Sequence, residues 1–231
     1  MTTISDNLQA VKSRVKSAVQ AAGRPDGAVH LLAVSKTWPA ADVRAAWAAG
    51  QHAFGENYVQ EAVMKITALD DLDLEWHFIG PLQSNKTRDV AEHFAWVHSV
   101  DRLKIAERLS AQRPADLPPL QVCIQVNVSG EESKSGLAPE ELDALAQAVA
   151  RLPHLRLRGL MAIPEPSDAP ALLRRRFARL RELRDGLNAK GMNLDVLSMG
   201  MSDDLEIAIA EGATIVRVGT AIFGARPKVE S

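Results

Sequence analysis

The chain alternates short, densely apolar runs with longer segments whose apolar residues recur every three to four positions. In "VHLLAVSKTWPA" the run Leu31–Val34 reads as a fully buried strand, and Pro39 just beyond it suits the first turn of a helix. Strands are predicted at His30–Ser35, His52–Gly55, Trp76–Gly80, Trp96–Val100, Leu120–Val128, Arg158–Ile163, Asp195–Met199 and Ile215–Gly219. Helical spacing runs over Asp6–Ala22, Ala40–Ala49, Tyr58–Leu69, Ser84–His93, Arg102–Ser110, Pro139–Arg151, Ala169–Lys190 and Asp203–Glu211. Strands that each lead into a helix or the chain end predict a parallel sheet with crossover helices. Eight of them favour closure over an open sheet. The expected fold class is α/β, a single (β/α)8 TIM-type barrel over residues 1–231 with an extra N-terminal helix. No Gly-x-Gly-x-x-Gly follows the first strand, which counts against a dinucleotide-binding sheet.

Strand parity sharpens the picture. In "LQVCIQVNVSG", Val122, Ile124, Val126 and Val128 share one face, and Gln121, Cys123, Gln125 and Asn127 share the other. A barrel's outer face meets apolar helices, so the polar set is expected inside. In "TIVRVGTAIFG", Val216 and Val218 would face the helices, which turns Arg217 inward with Ile215 and Gly219. An interior guanidinium must be paired, because desolvating it alone costs several kcal/mol. An acceptor for Arg217 is therefore expected within the barrel.

Apolar residues make up 46% of the chain and charged ones 24%, and a net charge of −2 gives no pull toward nucleic acid or anionic lipid. The arginines of Leu172–Asp185 alternate with Leu172, Leu173, Phe177, Leu180 and Leu183 at helical spacing, so they read as a solvated face. The single cysteine, Cys123, excludes an intrachain disulfide and a zinc cluster. The N-terminus lacks a signal-peptide core and no run is long enough to span a bilayer, so a cytoplasmic protein without membrane contact is expected. No long exposed apolar face stands out, and a monomer is expected.

In a closed barrel the first, seventh and eighth strands are neighbours, and the loops after the last two are the usual phosphate site. Here those loops are "SMGMSDD" (Ser198–Asp204) and "GTAIFGA" (Gly219–Ala225). They supply glycines and the hydroxyls of Ser198, Ser202 and Thr220, with Met199 lying between the first two. Ser202 fits a plain helix N-cap equally well. Asp203 and Asp204 repel phosphate and would have to turn outward. Lys36 ends the first strand beside these loops and the inward Arg217. By itself it would read as a solvated strand end. An amine, phosphate loops and an interior donor together are the parts of a pyridoxal phosphate site, with the lysine forming the imine. An arginine at the ring nitrogen cannot accept its proton, so the cofactor would be a weak electron sink.

The stretches "AVSKTWPA", "FGENYVQEA", "WHFIGPLQSNK", "HSVDRLKIA", "QVNVSGEESKSG", "RGLMAIP" and "LSMGMSDDLEIAIAEGATIVRVGTAIFGAR" resemble the pyridoxal phosphate homeostasis proteins, in order from about Leu31 to Arg226. The resemblance implies a barrel similar to the N-terminal domain of bacterial alanine racemases. It implies a cofactor imine on Lys36, phosphate near Ser202, Gly219 and Thr220, Arg217 against the ring nitrogen, and Asn57 and His77 at the cofactor's edge. From the residues alone, His77 reads also as a hydrogen-bonded core histidine, and Asn57 and Ser84 as helix N-caps. Lys134 reads as a solvated loop lysine or as a second, transient amine.

Racemization needs a second acid/base opposite the lysine. In the alanine racemase pattern this is a tyrosine from an additional β domain of a partner subunit. Here the one tyrosine is Tyr58, at the start of a helix, and no such domain is expected after the eighth strand. The expected function is therefore to hold pyridoxal 5′-phosphate and deliver it in vitamin B6 homeostasis, through transient contact with apo-enzymes. The alternative is a pyridoxal phosphate-dependent amino-acid racemase or another enzyme of that cofactor.

Overall fold

Eight strands close into a parallel barrel in chain order. They are β1 (His30–Val34), β2 (Ala53–Glu56), β3 (Glu75–Phe78), β4 (Trp96–Val100), β5 (Leu120–Gln125), β6 (Leu155–Met161), β7 (Val196–Ser198) and β8 (Ile215–Val218). The helices are α1 (Ile4–Ala21), α2 (Ala40–Ala48), α3 (Val59–Ala68), α4 (Thr87–His93), α5 (Leu103–Gln112), α6 (Leu142–Val149), α7 (Pro170–Ala189), α8 (Leu205–Ala210) and α9 (Thr220–Phe223). Short 3-10 turns at Ser84–Lys86 and Pro139–Glu141 lead into α4 and α6. This computed structural model describes residues 3–130 and 136–225.

Closure runs through β1 and β8, paired from His30 with Ile215 to Ala33 with Val218. Side chains divide by parity, as alternation across a strand requires. Val122, Ile124, Val216 and Val218 pack with Phe54, Phe78, Phe94 and Phe177 in the layer between sheet and helices. Leu32, Val34, Ile79, Trp96, Cys123, Met161, Val196 and Ile215 form a separate cluster within the barrel. Burying the outer layer fixes each strand's face, because a one-residue slip would turn that set inward.

The differences from the sequence pattern are local. β5 ends at Gln125 because Val126 and the segment at Leu137 leave the ladder as an isolated bridge, with Asn127 N–H donating to Leu137 O. β6 begins at Leu155, earlier than expected, and a bulge between Val122 and Cys123 absorbs the extra residue. Short α9 was not legible from periodicity. The arginines of α7 are not merely solvated, since Arg174 and Arg181 both bridge to Glu211 after α8. Among the described residues no helix is long and apolar enough to cross a membrane.

α1 starts with a capping box in which Thr3 Oγ1 accepts from Asp6 N–H and Asp6 accepts from Thr3 N–H. Its buried stripe, Leu8, Val11, Val15 and Val19, lies against α2, α8 and α9. That docking brings one polar residue of α1 to the barrel mouth.

Candidate functional site

Lys36 stands two residues beyond the end of β1, half-buried, between buried Ser35 and exposed Thr37. Thr37 has φ +70°, a left-handed conformation that is strained for a β-branched residue. A charged network beneath the turn holds it there. Thr37 N–H donates to Glu61 Oε1 at 2.6 Å. Lys65 Nζ donates to Ser35 O at 2.7 Å, Glu56 Oε1 at 2.7 Å and Glu61 Oε1 at 2.6 Å. Ser35 Oγ donates to the same Glu56 oxygen at 2.6 Å. Burial pushes the Glu56 carboxyl up, and Lys65 works against that. The residues flanking Lys36 are thus bound to β2 and α3. The Glu61–Lys65 spacing on α3 is visible in the sequence, but not that the pair turns inward.

At the C-terminal ends of the strands a cavity of about 420 Å³ brings together Lys36, Asn57, Ser202, Arg217, Gly219 and Thr220. These come from the ends of β1, β2 and β8 and the loop after β7. Val34, Ile79, Ile163 and Trp38 supply apolar wall, and Trp38 stacks on Phe223 of α9 with ring centroids 5.9 Å apart. Asn57 Oδ1 is buried with no hydrogen-bond partner among the described residues. Backbone approach shapes this wall: a Cβ on Gly80 would lie 2.4 Å from Asn57 O. In the loop after β7, Gly200 has φ +94°, and its carbonyl accepts from Arg217 N–H at 2.9 Å.

Arg14 of α1 also lines the cavity, and no sequence signal marked it among the charges of an amphipathic helix. Its guanidinium donates to Ser202 O at 3.1 Å and to Glu206, which ties α1 to the predicted phosphate loop. Met201 and the exposed Asp203 complete that side.

Arg217 is buried and finds its acceptors inside the barrel, donating to Ser198 Oγ at 2.7 Å and Ala162 O at 2.9 Å. Burial brings its pKa down to about 10, so it stays protonated at neutral pH. Three predicted site residues do not line the mouth. Ser198 lies a layer below and reaches the cavity only through Arg217. Met199 faces the helices in the outer apolar layer, as parity from Ser198 requires. His77 lines a cavity at the opposite end of the barrel, where it pairs with Glu75 and His98.

Other expectations need correction. Ser202 does not cap α8, whose N-cap position is Asp204 without a side-chain cap bond. Asp204 turns inward, accepting Met201 N–H at 2.6 Å, and only Asp203 stays outward. Burial raises the Asp204 carboxyl. Asn57 does not cap α3, where Tyr58 takes that position, nor does Ser84 cap its turn. Lys134 lies outside the described residues. Among the described residues no cluster could hold a metal ion.

The family of the alanine racemase N-terminal domain matches residues 7–227. The pyridoxal phosphate homeostasis protein of Pseudomonas aeruginosa is 68% identical over 226 residues, spanning 98% of this chain and 97% of its own. The solved structure of PipY of Synechococcus elongatus with pyridoxal phosphate bound is similar at TM-score 0.85 and 41% identity, covering 96% of this chain and all of that one. An alanine racemase from Corynebacterium glutamicum, at 19% identity and TM-score 0.71 over 97% of this chain and 63% of that one, shares the fold. With a closed eight-stranded barrel and a match over nearly its whole length, the chain belongs to the alanine racemase N-terminal domain family, among the pyridoxal phosphate homeostasis proteins.

Proposed function

We propose that the mouth cavity binds pyridoxal 5′-phosphate as an imine on Lys36 and that the protein serves vitamin B6 homeostasis by holding and releasing it. The observation that carries this reading is the convergence of an amine, a buried guanidinium and the Gly219–Thr220 and Ser202 loops on one cavity. A relative of 41% identity, PipY, has pyridoxal phosphate bound, which supports it.

The cofactor would supply a reactive aldehyde, and Lys36 Nζ is the amine that would hold it as the imine. Ser202, Thr220 and the backbone at Gly219 would hold the phosphate, with Arg14 adding positive charge at the rim. Arg217 is protonated and can only donate, so against the ring nitrogen it would leave that nitrogen without a proton. Asn57 Oδ1 is an acceptor in need of a donor. Phosphate binding near Asp203 requires that carboxylate to stay in solvent, where it lies.

Holding is favoured over turnover because racemization needs a second acid/base facing the lysine. Tyr58 is 54% exposed and is not part of the cavity wall. The reading takes the protein as a cytoplasmic monomer that meets apo-enzymes transiently. Borohydride reduction of the loaded protein and peptide mapping should place the label on Lys36, and Lys36→Ala should abolish the imine absorbance. A wild-type protein that stays colourless with the cofactor would overturn the reading. Lys36-dependent formation of D-alanine from L-alanine would overturn holding in favour of an enzyme.

A further inference from the structure

A line of polar groups crosses the barrel interior from its N-terminal end to Arg217. Glu75 opens β3 at the lower mouth, its side chain 51% exposed. It borders a cavity of about 530 Å³ lined also by His30, His77, Trp96, Arg158 and Asp195. His77 Nε2 lies 2.8 Å from Glu75 Oε1, and His77 Nδ1 lies 2.9 Å from His98 Nε2. His98 Nδ1 lies 2.8 Å from Ser198 Oγ, which accepts from Arg217 Nη1 at 2.7 Å. His77, His98, Ser198 and Arg217 are all buried.

The two ends of this line dictate its direction. A guanidinium only donates and an ionised carboxylate only accepts. Glu75 therefore takes the Nε2–H of His77, leaving His77 Nδ1 as an acceptor. That nitrogen takes the Nε2–H of His98, whose Nδ1 then takes the hydroxyl hydrogen of Ser198. The Ser198 oxygen is left facing Arg217 as an acceptor. Any other tautomer sets donor against donor or acceptor against acceptor somewhere along the line, and buried polar groups are costly when unpaired.

We propose that Glu75, His77, His98 and Ser198 form a one-way hydrogen-bond chain that positions Arg217 from beneath the candidate cofactor site. Its carboxylate end sets both histidines as neutral Nε2–H tautomers. No proton is transferred in this role. The chain requires both imidazoles to be uncharged, and burial holds both below the usual histidine range; for His98 the charge of Arg217 adds to this. Of the other groups nearby, Arg158 pairs with Asp195, and burial pushes the Cys123 thiol up to about 12, so it stays neutral. His30 bears on Glu75 and His77 from the start of β1.

The tautomer assignment rests on the geometry together with the neutrality of the two buried imidazoles, while the effect on the cofactor rests on the reading above. Two-bond proton–nitrogen NMR of the protein without cofactor should show both His77 and His98 as neutral Nε2–H forms. Glu75→Gln keeps an acceptor oxygen and should preserve this pattern; Glu75→Leu should leave His77 a mixture of tautomers. With pyridoxal phosphate added, Glu75→Leu should weaken binding by about threefold to tenfold and displace the absorbance band, with Glu75→Gln restoring both. An Nδ1–H or charged histidine in the wild type would overturn the chain. Glu75→Leu protein with wild-type affinity and absorbance would overturn the positioning role. If the wild type binds no cofactor, the functional reading fails while the tautomer result still decides the chain.

Discussion

Replacing Lys65 with Met tests whether the buried charges beneath Lys36 are held by one ammonium. The Lys65 side chain is 7% exposed and that of Glu56 is fully buried, and their 2.7 Å contact is joined by Glu61. Methionine keeps the volume but leaves Glu56 with Ser35 Oγ as its only donor among the described bonds, its Oε2 already lacking a partner. Removing one member of a buried pair costs about 3–5 kcal/mol, because the other charge remains in a medium that cannot solvate it. Urea unfolding near neutral pH should show a loss of that order for Lys65→Met. The loss should shrink in acid. Burial raises the Glu56 carboxyl, so without Lys65 the native state holds its proton at a pH where the unfolded chain has released it. Stability then falls as pH rises through the window above the ordinary carboxylate value, and it is recovered as pH falls. Adding Glu56→Gln should restore much of the stability near neutral pH, because the buried charge is gone. A loss below about 1 kcal/mol, or one unchanged by acid and by Glu56→Gln, would refute the reasoning.

Two further outcomes follow from the same structure. Cys123 is fully buried and its thiol is pushed up to about 12, so a thiol reagent should leave the native protein unmodified and label it on unfolding; rapid native labelling would count against the packed interior. Gly80→Ala would set a Cβ 2.4 Å from Asn57 O, so calorimetry should record a destabilisation of about 1–3 kcal/mol. Unchanged stability would mean that the backbone at Asn57 yields.

Much of the architecture was legible because strand alternation and helical spacing are local properties. The run 120–125 alternates so that Val122 and Ile124 had to meet helices and Cys123 the interior, and a bulge did not change that. Arg217 was turned inward by the same argument. Lys36 at a strand end, with the loops after β7 and β8, could be brought to one mouth because barrel closure makes β1 and β8 neighbours. Alternation says nothing of depth along the barrel axis, which depends on the stagger of all eight strands. His77 faces inward as its parity allows, yet it sits toward the lower mouth and Ser198 lies beneath Arg217.

The sequence alone determined which faces are buried, how many strands close the sheet and which chemistry-bearing residues point inside. These follow from periodicity and from the cost of burying unpaired polar groups. Only the tertiary structure decided which inward groups touch. The line from Glu75 to Arg217, the arrival of Arg14 at the Ser202 loop and the burial of Lys65 under Thr37 join residues from separate elements. Such contacts are set by strand stagger and helix docking, distances that no local pattern encodes.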